Sequence, residues 1–467
     1  MKGFVCIFSI EKCLTIPHLH ATLKVGNRKN RVDALYTKRE ITAETCSADD
    51  VEVNMAVLTF DTIMNTLQFI IFLYTFAYFI ISIPGLFPVK AKPHLPFTKR
   101  LAVVVPAHNE ENVISFLLDS LHKQNYPKDL YRIFVIADNC GDHTASVAAE
   151  HGATVYIRHD DKHRSKGHAL KWFYEQLWEY PEHFDAVVVF DADNLVDAEF
   201  LAAMNDHLLQ GETMIQGYID SKNPNDSWVS ACFSLGFWVA NRLQLARFRI
   251  GASTPLFGTG MCLDCSMLRD VGWTTETLTE DLEFSMKALL HGYKGSWAHE
   301  AIIYDERVAD VEGCWNQQIR WQQGRFEVIR LYLKPIAKGC LRADVDMLEA
   351  ALNLLSSIIV MLSGFVGAIT MINTLLPQFT FLRFTPLLPV SLLAFLSVTQ
   401  IFAPILVLLV DRRPLRCLAW VPLYTVYMGF WFVVTVAALL GFKGRHWTHT
   451  QHSRSLSIEE IKLHSKG

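Results

Sequence analysis

The 467-residue chain lacks an excess of positive charge, and this absence excludes one broad class of function. Its 43 lysines and arginines are outnumbered by 47 aspartates and glutamates, giving a formal net charge of −4 and a pI near 6.5. Proteins that bind nucleic acid through a generally basic surface need the opposite balance. We therefore expect no nucleic-acid partner.

Two common nucleotide-binding motifs are also missing. Neither GxxxxGK[ST] nor GxGxxG follows a predicted strand, so a P-loop nucleotidase or a classical dinucleotide dehydrogenase is unsupported. The chain has ten cysteines, but the pair Cys262-x-x-Cys265 lacks a second pair or a flanking histidine that would complete a zinc site. We interpret these thiols as reduced and unligated, as expected in a cytosolic domain.

Charge is absent from four long apolar runs, although the chain as a whole is 51% apolar with a mean hydropathy of only +0.19. Each run exceeds the ~20 residues needed to cross ~30 Å of hydrocarbon. The runs are Thr62–Val89, Ala350–Leu382, Phe384–Val410 and Cys417–Phe442. The sequence therefore predicts four membrane segments around one long soluble stretch.

Basic residues at the ends of these runs predict the side on which the soluble stretch lies. They are Lys90, Lys92, Lys99, Arg100, Lys334, Lys338 and Arg342. The positive-inside rule then places this stretch in the cytoplasm. Parity of four segments would put the C-terminal tail outside, whereas its own basic residues favour the inside. Either the proline-containing run Phe384–Val410 is re-entrant or interfacial, or the charge rule fails here.

The soluble stretch alternates short apolar runs with helical patterns. Predicted strands are Leu101–Pro106, Arg132–Ala137, Thr154–Ile157 and Ala186–Phe190, and predicted helices are Val113–Leu121, Thr144–His151 and Lys166–Trp178. This alternation indicates an α/β domain with a largely parallel sheet covered on both faces. Ligands of such sheets bind at the carboxyl ends of the strands.

Polar turns follow three of the predicted strands, with Asn109 and Glu110 in the first, Asp138 in the second and Asp191-x-Asp193 in the third. Any one of these turns could consist of ordinary turn or cap residues. Three acidic turns at one sheet edge, however, form a negative cleft that needs a cation. Asp191 and Asp193 suit a hard ion, so we expect Mg²⁺ or Mn²⁺ bridging a diphosphate.

Three further motifs lie closer to the C-terminus. Gly258 and Gly260 flank Thr259 and would let backbone approach a ligand, although Gly-x-Gly is also a common turn. Thr277-x-x-Glu280 is consistent with a capping box that opens a helix over Asp281–His291. A carboxylate at that helix start, Asp281, is well placed to act as a base.

The last motif runs from Gln317 to Trp321 and includes Arg320. An amphipathic helix on the membrane surface would explain it equally well, because its apolar residues recur at helical spacing. The segments Trp228–Arg249 and Gly313–Leu333 are the two candidates for such interfacial helices.

Together these motifs resemble the membrane-integrated glycosyltransferases of family 2, the group that includes cellulose, chitin, hyaluronan and poly-N-acetylglucosamine synthases. The resemblance covers Leu101 to Trp321 in family order, and Thr279-Glu280-Asp281 combined with Gln317-Gln318-x-Arg320-Trp321 carries most of its specificity. It implies a Rossmann-like GT-A fold in the cytosol plus transmembrane α-helices.

The resemblance also implies a role for each motif. Asn109, Glu110 and Asp138 would hold the uridine of a UDP-sugar, with Lys166 nearby, and Asp191 and Asp193 would bind the diphosphate and its metal. Asp281, paired with Glu280, would be the catalytic base, and Arg320 would offset charge on the leaving diphosphate. Trp321 would stack on the acceptor sugar, and the remaining substrate-binding positions would be Gly258, Thr259, Gly260 and Gln317.

On this basis the chain divides into six expected regions. They are a leader of unknown role (1–54), a membrane segment (55–89), the GT-A domain (90–312), an interfacial helix segment (313–349), three membrane segments (350–442) and a basic tail (443–467). The leader has no period that indicates a helix or strand, and it lacks a signal-peptide pattern. The expected location is the cell membrane, with several spans and a cytoplasmic catalytic domain.

Three functional hypotheses follow. In the first, an inverting, metal-dependent enzyme extends a β-linked polysaccharide from UDP-N-acetylglucosamine or UDP-glucose, with accessory export subunits as candidate partners. In the second, the enzyme transfers a single sugar to a lipid or lipid-linked acceptor. In the third, a transporter or scaffold only binds nucleotide, and Asp281→Asn would leave its function intact.

Overall fold

The computed structural model describes residues 48–89, 94–376, 388–441, 454 and 456–464. The chain divides into two compact units, Met1–Asn54 and Met55–Gly467. Most of the expected leader and of the expected basic tail lie outside the described residues. All strands of the described part belong to the second unit.

The described strands form one sheet of eight, in the order β3-β2-β1-β4-β7-β6-β8-β5. They are β1 (Leu101–Ala107), β2 (Tyr131–Asp138), β3 (Thr154–Arg158), β4 (Ala186–Val189), β5 (Leu195–Val196), β6 (Met214–Ser221), β7 (Met261–Asp264) and β8 (Gly295–Asp305). The first four are mutually parallel, as expected. The prediction of a largely parallel sheet is confirmed, because β6 and β8 also run in this direction; the exceptions among the described strands are β7, antiparallel to β4 and β6, and β5, antiparallel to β8.

The reversal at β7 has a simple cause in the chain path. Strand β6 ends at the same edge as β1, β2 and β4, because it is antiparallel to β7, which is antiparallel to β4. The long helix after β6 and the loop before β7 return the chain to β7 from that edge. Strand β7 therefore begins where β4 ends, and the loop that precedes it lies beside the polar turns.

Helices cover the sheet and continue into the apolar part of the chain. They are α1 (Ala48–Ser82), α2 (Ile114–His122), α3 (Thr144–Glu150), α4 (Lys166–Trp178), α5 (Phe200–Leu209), α6 (Trp228–Arg249), α7 (Cys265–Val271), α8 (Glu280–Leu290), α9 (Val311–Cys340), α10 (Val345–Leu375), α11 (Val390–Val410), α12 (Val421–Leu439) and α13 (Ile458–His464).

Two hydrophobic cores sandwich the sheet because side chains alternate along each strand. Val103 and Val105 of β1 pack with α2 and α5 on one face. Ala102 and Val104 face the other side, where Phe173 of α4 and Phe284 of α8 complete the second core. Coverage on both faces is therefore confirmed.

Three helices of the described part are long and apolar enough to cross a membrane: Leu58–Leu86, Val345–Leu375 and Leu415–Leu439. The fourth predicted run, Phe384–Val410, begins outside the described residues and contributes α11, whose later part Ile401–Val410 is a shorter apolar helix. The sequence predicts four membrane crossings, and the described residues contain three helices that are long and apolar enough to be crossings.

Helix α6 ties the sheet to the apolar helices. Arg242 on α6 forms a buried ion pair with Asp411, which follows α11. Arg242 also donates to the backbone carbonyls of Gly85 (3.0 Å) and Phe87 (3.2 Å), just after α1. This one arginine fixes α6 against both apolar segments, and α6 in turn forms one wall of the site described next.

Candidate active site

The turns after β1 and β2 are locked to each other at the carboxyl edge of the sheet. Asn109 has a left-handed φ of 57°, and its side-chain Oδ1 accepts a hydrogen bond from the Gly141 amide at 2.8 Å. The Glu110 amide donates to the Thr144 hydroxyl at 2.8 Å, and the Glu110 side chain is buried. The two turns therefore form one preorganised surface at this edge of the sheet.

Asp138 ends β2 and is held by an arginine that the sequence did not reveal. Arg158, at the end of the neighbouring strand β3, donates to Asp138 Oδ1 at 2.6 Å and to Asp160 Oδ2 at 3.0 Å. Both Asp138 and Arg158 are buried. The pair satisfies the charge of Asp138 and fixes its carboxylate at the rim of the site.

The Asp191-x-Asp193 turn follows β4 and contacts two lysines. Lys166, the first residue of α4, forms an ion pair with Asp191 and donates to the Gly258 carbonyl at 2.7 Å. Lys222 follows β6 and donates to the backbone carbonyl of Asp193. Burial lowers the pKa of the Lys222 ammonium. The two aspartates are thus supported from both sides by cationic groups.

Asn194 links this turn to the end of β8. Its side-chain nitrogen donates to Asp305 Oδ1 at 3.0 Å, and the other carboxylate oxygen of Asp305 accepts from Arg307 at 2.7 Å. The Arg307 guanidinium lies 3.7 Å from the ring centroid of Phe237 on α6. Asp305 and Arg307 therefore extend the charged site towards α6.

The Gly258-Thr259-Gly260 motif forms the turn that leads into β7. Both glycines have left-handed φ angles, 84° and 61°, which disfavour other residues. A Cβ on Gly258 would lie 3.4 Å from Asp281 Oδ2, so this turn runs directly beside the expected base. The Thr259 hydroxyl accepts from the Asp191 amide at 3.0 Å, which joins the motif to the aspartate turn.

Glu280 and Asp281 are the first two residues of α8 and lie together inside the protein. Burial, with the neighbouring Glu280 carboxylate, raises the pKa of Asp281 to about 7, and burial also raises the pKa of Glu280. Asp281 Oδ1 accepts from the Leu282 amide at 2.8 Å. Asp281 therefore titrates near neutral pH, as a general base should.

The expected capping box at the start of α8 is wrong. The cap residue is Thr279 rather than Thr277, and its side chain makes no capping hydrogen bond. The carboxylate that holds the preceding loop is Glu283, whose Oε2 accepts from the amides of Glu276 (2.9 Å) and Thr277 (2.8 Å). Glu280 is turned instead towards Gly167 beside Lys166.

Helix α9 brings the Gln317 to Trp321 motif against this loop. A Cβ on Gly324 would lie 2.7 Å from the Thr279 side chain, and the Leu278 amide donates to Glu327 at 3.2 Å. Gln318 is fully buried and donates to the Tyr427 hydroxyl of α12. The helix is therefore packed between the loop before Asp281 and the apolar helices.

The Trp321 ring lies in an aromatic wall. Its centroid is 5.7 Å from that of Phe233 and 6.4 Å from that of Phe237, both on α6. Trp321 is only partly buried, because it borders the cavity between α6 and α9.

A continuous cavity of about 1190 Å³ connects these groups. Of the site residues predicted from sequence it brings together Glu110, Asp138, Lys166, Asp191, Asp193, Gly258, Thr259, Glu280, Asp281, Gln317, Arg320 and Trp321. Asn109 and Gly260 do not border it. The cavity continues past Trp321 to Tyr427 and Trp431 of α12 and to Ser357 of α10. It thus runs from the sheet edge to the apolar helices and exceeds the ~300–1,000 Å³ of a single small-ligand pocket.

Comparison with known proteins identifies this arrangement. Residues 99–324 match the family model described as "Glycosyltransferase like family 2". The mannosyltransferase PcManGT from Pyrobaculum calidifontis, solved with GDP-mannose and Mn²⁺, superposes with a TM-score of 0.53 at 17% identity, over 82% of this chain and 100% of that one. The fold and the site therefore define a glycosyltransferase of the GT-A type.

Residues 99–324 form a glycosyltransferase family 2 domain, so the predicted family resemblance and the enzyme class are confirmed. The chain is 27% identical to the β-monoglucosyldiacylglycerol synthase of Nostoc sp. over 77% of each chain. It is 24% identical to the poly-β-1,6-N-acetyl-D-glucosamine synthase of Staphylococcus epidermidis, over 57% of this chain and 67% of that one. For several other curated relatives the chain spans only about half of their length.

Proposed function

We propose that this protein is an inverting, metal-dependent glycosyltransferase that moves a sugar from a UDP-sugar to an acceptor held at the membrane. The observation that carries the proposal is the single cavity in which the acidic edge of the sheet, Asp281 and the apolar helices α10 and α12 meet. In this proposal residues 90–312 are the transferase domain, 313–349 lie at the membrane surface, and 55–89 with 350–442 anchor the chain.

The donor would occupy the sheet edge. Glu110 and Asp138 border the part of the cavity expected to hold the uridine, and Lys166 and Arg320 supply positive charge near the diphosphate. Arg320 lies within electrostatic range of Glu280. Positive groups at this position stabilise the negative charge that builds up on the departing UDP.

Asp191 and Asp193 fit a divalent metal. Among the described residues there is no cluster of three or more acidic, histidine or cysteine side chains that could hold an ion alone. Mg²⁺ commonly binds through one or two carboxylates and completes its shell with substrate phosphates and water. Two aspartates at the edge of a cavity with room for a diphosphate meet that requirement. When bound, the metal would neutralise the diphosphate.

Asp281 would take the proton from the acceptor hydroxyl. Its raised pKa keeps it basic enough to accept a proton while still ionised above neutral pH. Direct displacement at the anomeric carbon of an α-linked donor gives a β-linked product. Gly258, close to Asp281 Oδ2, leaves space for the reacting sugar because it has no side chain.

The acceptor side supports our first candidate, a growing β-linked polysaccharide. Trp321, Tyr427 and Trp431 offer aromatic faces, and Ser357 and Thr435 offer hydroxyl groups, along the part of the cavity that enters the apolar helices. Aromatic faces and hydroxyl groups in one cavity suit a sugar chain. The second candidate is transfer of one sugar to a lipid, favoured by the match over 77% of a β-monoglucosyldiacylglycerol synthase.

A product-length assay separates the two candidates. The full-length protein in detergent is incubated with Mg²⁺ or Mn²⁺, membrane lipid extract and a panel of labelled UDP-sugars. Labelled chains of many sugars support the polysaccharide, whereas single-sugar lipid products alone refute it and support the second candidate. Transfer from no UDP-sugar would refute both.

A further inference from the structure

Arg325 is an inward-facing arginine whose charge has no acidic partner. Arg325 is partly buried, whereas the buried arginines of the described part each pair with a carboxylate, and these pairs are Arg158–Asp138, Arg242–Asp411, Arg247–Glu349 and Arg307–Asp305. Within the described part of the chain, no carboxylate lies within ion-pair distance of Arg325. A partly buried charge without an ion-pair partner favours an anionic ligand, so this exception calls for a ligand or another function.

Only one nitrogen of the guanidinium is used by the protein. Nη1 donates to the Asn353 carbonyl (2.8 Å), the Asn353 side chain (3.2 Å) and the Ser356 hydroxyl (3.1 Å), all on α10. Nε and Nη2 have no hydrogen-bond acceptor among the described residues. Neither nitrogen is among the solvent-excluded polar atoms that lack a partner. Arg325 borders the cavity, so these two donors remain available there.

Arg325 lies on the acceptor side of the catalytic centre. It follows Arg320 by five residues on α9, about 7.5 Å further along the helix axis, and it is within electrostatic range of Asp281. Its partners Asn353 and Ser356 belong to the charge-free part of α10, which is long and apolar enough to span a membrane. Tyr74 and Tyr78 of α1 are also within its electrostatic range.

We propose that Arg325 forms a phosphate subsite for a membrane-borne acceptor, so that the acceptor lipid, or the lipid on which a glycan is built, carries a phosphate group. Two free donors on one planar guanidinium match two oxygens of a phosphate. The proposal rests on the proposed function in one respect, that the acceptor reaches Asp281 from the membrane.

A binding assay tests this without measuring catalysis. The full-length protein is purified in dodecyl maltoside, which contains no phosphate, and mixed with phosphatidylglycerol or with diacylglycerol as a neutral match. Native mass spectrometry then measures the lipid retained. We expect the wild type to retain phosphatidylglycerol, and Arg325→Gln to lower its affinity about tenfold or more, as for a lost charged hydrogen bond. Retention of diacylglycerol should not change.

Two variants separate binding from folding. Arg330→Gln removes an exposed arginine of the same helix and should leave retention unchanged. Arg325→Lys keeps the charge but loses the planar pair of donors, so it should restore only part of the retention, even if Arg325→Gln lowers the thermal midpoint. Equal loss in Ser356→Ala, which breaks only a contact between α9 and α10, would assign Arg325 a structural role and overturn the proposal.

Three other outcomes would refute the phosphate subsite, and a fourth bears only on the proposed function. Equal retention of phosphatidylglycerol by wild type and Arg325→Gln refutes the subsite. Loss of UDP affinity in Arg325→Gln with unchanged lipid retention would move Arg325 to the donor side and refute it as well. Arg325-dependent binding of inorganic phosphate without lipid retention would refute a lipid ligand. Absence of sugar transfer, in contrast, would count against the proposed function and leave a positive lipid result intact.

Discussion

Replacing Asp281 by asparagine tests the centre of the proposed mechanism, because the change preserves shape while removing the base. Asparagine retains an oxygen that can accept from the Leu282 amide, now 2.8 Å from Asp281 Oδ1. Loss of a positioned general base costs about 10²–10⁴-fold in rate. We therefore expect kcat to fall by that factor above pH 7. Donor affinity should hold within about twofold, since Asp191 and Lys166 pair with each other.

The same substitution should not weaken the fold. The pKa of Asp281 rises from 3.8 to about 7, so its ionised form is disfavoured in the native state by up to about 4 kcal/mol. Because the folded-state pKa is raised, ionisation lowers stability as pH rises above 3.8 towards 7. Removing the charge should leave the thermal midpoint unchanged or raise it at pH values above 7.

Three measurements on the same preparation test these expectations: steady-state kinetics, UDP binding by calorimetry and a thermal melt. Asp119→Asn, an exposed aspartate on α2, is the matched control and should leave all three unchanged. Turnover of Asp281→Asn within tenfold of wild type would refute Asp281 as the base. A large loss of UDP affinity would instead place Asp281 in donor binding.

Three further predictions follow from the site. The raised pKa predicts that kcat/KM falls about tenfold per pH unit below about 7, as Asp281 becomes protonated, and a flat profile between pH 5 and 8 would contradict this. Glu283→Gln should cost about 1–3 kcal/mol in denaturant unfolding, because two loop amides lose a charged acceptor; unchanged stability would show that the loop is held otherwise. Chelation with EDTA should abolish transfer and added Mg²⁺ or Mn²⁺ should restore it, whereas full activity in EDTA would exclude the metal proposed at Asp191 and Asp193.

Local signals in the sequence predicted several elements closely. Helices α4 and α6 have the bounds expected for them, and each begins after a serine whose side chain caps the helix, Ser165 and Ser227. Strands β1 to β4 were recognisable as short apolar runs between polar turns. Twelve of the predicted site residues border one cavity, because the parallel strands end at a common edge.

Features that depend on tertiary contacts were not predictable from local pattern. The direction of β7, a strand of four residues, follows from where the chain returns to the sheet rather than from its own sequence. Glu283 holds the loop before α8 only because that loop folds back over the helix. Arg158 forms an ion pair with Asp138 at the end of the neighbouring strand. Arg307 forms one with Asp305, two residues before it in the chain.

The close packing of Gly324 against Thr279 connects the loop before Asp281 to a helix that also contacts the apolar helices. Helix α9 touches the apolar helices through Gln318 and the loop before Asp281 through Gly324 and Glu327. Because residue 324 is a glycine, the backbone of α9 lies directly against Thr279. Under the proposed function, a change in membrane thickness that tilts α9 should therefore move Asp281 relative to the sheet edge proposed to hold the donor. We expect turnover to depend on the lipid environment through this contact at Thr279, two residues from Asp281.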